Sequence, residues 1–270
     1  MNRTGLALFV LALALDVAMA SGCNSGRSAS CPPCDATAGH GHAATPSADE
    51  SGNPEYYALP GLDHGLLQSP VNILSHETEP GKHKIVYHGG IEAEKVANLG
   101  STVELSFGQG ITTELDGKLY EFKQLHFHTP AEHLIDGITY PMEAHLVHSR
   151  PRPSADAPPE YLVIALLVRM GRPNRFLSEF LDAVPPRPGE SAELHDVYIG
   201  DAFPPKVDLQ SLHYYHYRGS LTTPPYTESV DWLVAKEIVE AGPKQIQRIN
   251  LLEGNNARHV QALYSRAIDE

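Results

Sequence analysis

The sequence predicts a mainly β fold of the α+β kind in residues 56–270, with few and short helices. Three observations predict it. Segments of β-type alternation, rich in β-branched and aromatic residues, dominate the chain after residue 55. Helical spacing is confined to two short stretches. Composition supplies the third: 270 residues, 41% hydrophobic and 20% charged, suit an ordinary globular protein with one large core. A formal net charge of -13 argues against nucleic acid as a partner.

Residues 1–22 differ from everything that follows. Arg3 gives a positive start, residues 6–15 form an apolar run, and Ala18-Met19-Ala20 is a small-residue cleavage site, so the segment reads as an export signal despite Asp16. Ala20-Ser21-Gly22-Cys23 resembles a bacterial lipobox, with Ala20 in place of the usual leucine. The expectation is an exported periplasmic or cell-surface lipoprotein anchored at Cys23, with soluble secretion as the alternative. Residues 23–55, rich in Ser, Ala, Gly and Pro, should form a flexible tether. It carries Cys31-Pro32-Pro33-Cys34 and His40-Gly41-His42, read as a local disulfide or idle thiols, with metal capture as the alternative. A thioredoxin-type role would need a strand before the cysteines and a helix after them, and neither is present in the sequence.

Beyond the tether, strands are expected at 102–107, 111–115, 118–127, 140–148, 161–168 and 228–235. Residues 174–184 show apolar positions at helical spacing, and 243–250 open with Pro243, which suits a first helical turn. Residues 151–159 form a proline-rich loop. No segment after the signal is apolar for long enough to span a bilayer.

The chemistry concentrates on two of these strands. Residues i and i+2 of a strand share a face, so His126 and His128 can grip one ion. An antiparallel partner at 140–148 would bring His145 beside them. Histidines of this spacing also occur with ordinary hydrogen bonds only. Here, however, Gln124 and Glu143 each sit two residues before a proposed ligand, within reach of its second ring nitrogen, and Glu132 is close in sequence. Three neutral imidazoles leave a fourth tetrahedral position for water, whose pKa on zinc falls from about 15.7 to about 7. His133 and His148 break the spacing and read as structural. The segment Tyr217-Arg218-Gly219-Ser220-Leu221-Thr222-Thr223-Pro224-Pro225 is either a proline-terminated loop or a rigid turn whose hydroxyls orient a metal-bound nucleophile.

Taken with Gln68-Ser69-Pro70-Val71-Asn72-Ile73 and Asn256-Ala257-Arg258, Gln261 and Leu263, these blocks resemble the α-class carbonic anhydrase family in its bacterial form over roughly residues 68–266. The resemblance implies one large, mostly antiparallel, twisted central sheet, with a Zn2+ cofactor at the base of a conical cleft. It implies His126, His128 and His145 as zinc ligands, oriented by Gln124, Glu143 and the backbone at Asn256. Thr222 would accept from zinc hydroxide and donate to Glu132. Val147, Val163, Leu221 and Trp232 would wall the carbon dioxide site, and Thr223 would contact bicarbonate. The implied reaction is hydroxide attack on carbon dioxide, exchange of bicarbonate for water, and loss of a proton.

The sequence departs from that family at the proton exit. Where efficient members often carry a shuttle histidine, Asn98-Leu99-Gly100-Ser101 places Ser101, which does not titrate near neutral pH. Leu99 and Glu104 replace amides that commonly line the water chain, and the aromatic segment usual before Gln-Ser-Pro is missing from residues 53–67. The expectation is intact hydration chemistry with slow, buffer-dependent proton release. Leu62 and Tyr226 fall near the two cysteines that many secreted relatives pair, so that disulfide is lost. One alternative is a zinc-binding but catalytically weak binding module, against which the complete ligand set stands. A remote one is a cupin-like metal oxygenase, since His126, His128 and Glu132 fit its first motif, but no second motif follows.

Overall fold

Alternation along the strands divides the buried side chains into two sets, and that division creates the site. The computed structural model describes residues 65–270 apart from 90–91, 153, 155–156 and 205–206. The export signal, Cys23, the tether with Cys31, Cys34, His40 and His42, and Leu62 lie outside the described residues. In chain order come β1 (Asn72–Ile73), β2 (Ile85–His88), β3 (Glu92–Asn98), β4 (Val103–Phe107), β5 (Thr112–Leu115), β6 (Lys118–His128), β7 (Leu134–Ile135) and β8 (Ile138–Thr139). They continue with β9 (Met142–Ser149), β10 (Tyr161–Met170), α1 (Arg175–Phe180), β11 (Ser191–Tyr198), β12 (Tyr214–Gly219), β13 (Val230–Ala235), β14 (Val239–Ala241) and α2 (Pro243–Glu253).

Eleven strands form one sheet with the central path β11-β3-β4-β6-β9-β10-β13-β12; β14 joins β10, and β5 links β2 to β6. Its pairings are antiparallel except β10 with β13 and with β14. The small β1-β7-β8 sheet stands apart. β10 is buried on both faces, as a central strand with parallel neighbours should be. Its Leu162, Ile164, Leu166 and Val168 enter one apolar cluster, while Val163, Ala165 and Leu167 enter another. Leu125 and Phe127 of β6 and Leu146 of β9 belong to the first cluster. Strand alternation therefore turns His126, His128 and His145 to the second face.

The helices are short because their signals are short. Asn174 caps α1 by accepting from Leu177 N, and the helix passes after Phe180 into a single 3-10 turn at Leu181–Ala183 rather than continuing to residue 184. Pro243 opens α2, which runs three residues past the expected end and stops at Gly254, where φ is 71°. Among the described residues, no helix is long and apolar enough to cross a membrane. Outside the expected strands lie β2, β3, β11, β12 and the short β1, β7, β8 and β14. β11 sits at the sheet edge with only Leu194 and Val197 buried, so its sequence lacks an apolar alternation.

Candidate metal centre

β6 and β9 pair antiparallel with His126 opposite His145 and His128 opposite Glu143. That register brings the histidines together. The Nε2 atoms of His126 and His128 are 3.0 Å apart. Ligand atoms of these two and of His145 all lie within 4.8 Å of one another. Two of the rings are also held from behind. His126 Nδ1 meets Gln124 Oε1 at 2.9 Å, and His145 Nε2 meets Glu143 Oε1 at 2.7 Å. His128 Nδ1 is buried without a well-formed hydrogen bond; the Glu143 charge, then the Asn256 main chain, pull its pKa upward against burial. Asn256 itself is fixed to the ligand strand: its Nδ2 donates to Phe127 O at 3.1 Å and to Ser101 O at 2.9 Å, and its Oδ1 accepts from Thr129 N at 3.0 Å.

Glu143 is the pivot of the centre. Fully buried, it accepts from the backbone N–H of Glu132 and of His133, each at 2.8 Å, and from the rings of His133 and His145, each at 2.7 Å. Burial opposes its charge, but the two histidines hold its pKa well below the usual carboxylate range. The imidazoles move the other way. Burial first, then repulsion from His128 and His145, pushes His126 well below its ordinary value; burial, then His145, brings His128 to about 3. His145 is also lowered, by burial. All three are thus neutral at pH 7, the form that binds a metal.

This donor set fits zinc. With Nδ1 of His126 donating to Gln124, its Nε2 is a lone pair that faces another ring nitrogen across 3.0 Å. Two ligand nitrogens about 2.0–2.1 Å from one tetrahedral ion stand roughly this far apart.

Glu132 and Thr222 lie beside the three rings. Glu132 Oε1 is 3.5 Å from His128 Nδ1 and accepts from Arg258 N at 2.8 Å; its Oε2 is 4.0 Å from His145 Nδ1. Burial, then the nearby Glu143, pushes the Glu132 carboxyl up to about 8, and the Arg258 N–H and the Thr222 hydroxyl pull against that. A bound dication would add to the pull. Thr222 is buried and Thr223 exposed. Register also aligns the apolar side chains: Val163 pairs with Val147 on one side and Trp232 on the other, and Leu221 packs on the same cluster. Trp232 lies 4.9 Å from the His145 ring and donates to Ser220 O at 3.1 Å.

The residues read as structural keep that place. His148 is buried, contacts Thr113 Oγ1 at 3.0 Å, and is pushed down to about 4 by burial. His133 bridges Glu143 and Tyr217, whose hydroxyl donates to Ser69 Oγ at 2.9 Å. Sequence reasoning missed this link and the Arg258 N–H on Glu132. Only the co-occurrence of the Gln68-Ser69 and Asn256-Ala257-Arg258 blocks hinted that both converge on the centre. Gly219 is required there, because a Cβ would collide with Ser69 Oγ. At the rim, Leu99 and Ser101 are exposed, and Glu104 pairs across the sheet with His126.

A family model described as eukaryotic-type carbonic anhydrase matches residues 57–270. The chain is 37% identical over 211 residues to a carbonic anhydrase of Neisseria gonorrhoeae, covering 76% of this chain and 78% of that one. It is 32% identical over 227 residues to a carbonic anhydrase of Pectobacterium atrosepticum, covering 81% and 87%. Among solved structures it resembles the α-carbonic anhydrase of Thermovibrio ammonificans, in complex with the inhibitor sulfanilamide, with a TM-score of 0.68, 32% identity, and coverage of 76% of this chain and 88% of that one. With the sheet, the family match and these relatives in agreement, the chain belongs to the eukaryotic-type carbonic anhydrase family, the α class in its bacterial form, and is as such a carbonate dehydratase.

Proposed function

We propose that the chain hydrates carbon dioxide reversibly to bicarbonate and a proton, with zinc held by His126, His128 and His145, and that it releases the proton slowly. The observation that carries this reading is the convergence of three buried, neutral imidazoles beside an apolar wall. Zinc, when bound, supplies Lewis acidity that gives a coordinated water a pKa of about 7. The chain's own residues do the rest. Gln124, Glu143 and the Asn256 backbone fix the ring orientations. Thr222, tied to Glu132, presents its hydroxyl oxygen as an acceptor toward the nucleophile and so restricts its direction of attack. Val147, Val163, Leu221 and Trp232 offer an uncharged substrate a surface without competing hydrogen bonds, and Thr223 meets the charged product at the open side.

The proton must then leave past Leu99, Gly100 and Ser101. None of these titrates near pH 7, so dissolved buffer has to carry it. Stopped-flow carbon dioxide hydration by the zinc-loaded chain at pH 7 to 9 tests both parts. Turnover should rise with buffer concentration; fast, buffer-independent turnover would place the proton on another group. Zinc binding without hydration would instead leave a binding module. Export as a lipoprotein anchored at Cys23 rests on the amino-terminal sequence, and Cys23→Ser should then release the protein from the membrane fraction.

A further inference from the structure

A second histidine cluster lies away from the first. His216 of β12 alternates with Tyr215 and Tyr217, which pack into the Trp232 cluster, so its ring turns to the opposite face. There it meets His83, with ring centroids 4.0 Å apart, and Asp269 near the chain's end. Asp269 Oδ1 lies 3.0 Å from His83 Nε2 and 3.3 Å from His216 Nδ1, and His216 Nδ1 is 3.4 Å from Oδ2. Despite these short approaches, Asp269 Oδ1 is buried without a hydrogen bond of acceptable geometry. Two ring nitrogens thus face Oδ1, while the one acceptable bond, from His216 Nδ1, goes to Oδ2.

Tautomers explain why. His83 Nδ1 is held by Asp116 Oδ2 at 2.5 Å, which leaves Nε2 as the acceptor atom facing Asp269. On the far side of the His216 ring, Nε2 lies 3.6 Å from Asp231 Oδ1. A carboxylate behind each ring and a second nitrogen in front, facing a shared carboxylate, is the arrangement of metal-bound histidine. Nitrogen and oxygen ligands about 2.0–2.1 Å from a tetrahedral zinc-like ion lie roughly 3.3 Å apart, which the observed spacings match. The frame is rigid as well. His216 and Asp269 exchange two backbone hydrogen bonds of 2.8 and 3.0 Å, Gly81 N donates to Glu270 O at 2.7 Å, and Lys84 N donates to Asp116 Oδ1 at 2.8 Å. Beside the cluster lies an open cleft of about 400 Å³, lined in part by His83, His216 and Lys236, through which water can complete the coordination. Lys82 and Lys84 line it too; Lys236 is paired with Glu270 and does not repel a cation unopposed.

We propose that His83, His216 and Asp269 bind a second divalent transition-metal ion of the zinc class, which fastens the carboxy-terminal segment to β12 and to the loop before β2. Two histidines and one carboxylate, with water as the fourth ligand, suit zinc.

The test is the zinc content of the full chain after equilibration with zinc sulfate and gel filtration. Wild type should carry one ion more than either Asp269→Asn or His83→Gln, and the first variant should show a smaller zinc-dependent rise in thermal midpoint than wild type, the remainder coming from the first centre. His128→Ala, which disables the first centre, should keep the other ion, so failure of one site is separable from failure of the other. Should Asp269→Asn fold poorly and lose all its zinc, His83→Gln, in a loop outside the sheet, decides. If both variants hold as much zinc as wild type, the proposal is overturned: the cluster then shares protons only, and any extra ion sits elsewhere in the chain.

Discussion

The floor of the candidate metal centre and the rim beside it differ in how tightly their residues are determined. On the floor, His126, His145, Glu143, Val147, Val163 and Trp232 occupy four adjacent strands, and one register places all of them. A single slip would turn every one of these side chains to the wrong face. At the rim, Leu99 and Ser101 sit on a tight turn where Gly100 has φ 83° and its N–H bonds to Asn98 Oδ1. Leu99 is 49% exposed. The proposed metal ligands and apolar wall are thus locked to the fold, whereas the proposed proton exit lies on an exposed turn.

If that division holds, substitutions on the floor should cost more than any at the rim. His128→Ala should reduce carbon dioxide hydration to the rate of buffer alone and abolish zinc retention at that centre, measured by stopped flow and metal analysis. Thr222→Val keeps the shape but removes the hydroxyl; it should lower kcat/KM by about 100-fold with zinc still bound. Retained activity there would move the orienting role off Thr222. Glu143→Gln presents an amide N–H₂ where four donors now converge, and it should weaken zinc affinity by about 10- to 100-fold in a competition titration with a chelator. The smallest change belongs to the rim, and it is a gain. Ser101→His should raise turnover about tenfold in dilute buffer and scarcely at all in concentrated buffer. An equal gain in both would show that proton release is not the step being relieved.

Much of the floor was legible because a strand's period of two is carried by the sequence itself. Gln124, His126 and His128 announce a shared face, and His145 and Val147 another. Both helices were legible from their first residues, Asn174 and Pro243. Other parts depended on distant pairing. β11 offers two buried residues in eight, and β12, with Tyr214, Tyr215, His216 and Tyr217, reads as an aromatic run in which no apolar alternation shows. The link from Glu143 through His133 and Tyr217 to Ser69 spans loops and strands that only the fold brings together. The same holds for His83, His216 and Asp269, which are separated by most of the domain in sequence.

The segment that many secreted relatives staple with sulfur is joined here by other means. Gln68 Nε2 donates to Glu228 Oε1 at 2.8 Å and to Tyr226 O at 3.3 Å, Leu67 N donates to Glu228 Oε1 at 2.7 Å, and the Arg258 guanidinium lies 3.9 Å over the Tyr226 ring. No cysteine occurs after Cys34. A seam built from amides, a carboxylate and a guanidinium gives thiol–disulfide exchange nothing to act on. Within residues 35–270 the redox state of the surroundings therefore has no disulfide to form or break, and maturation of that part calls for no oxidant and no disulfide isomerase.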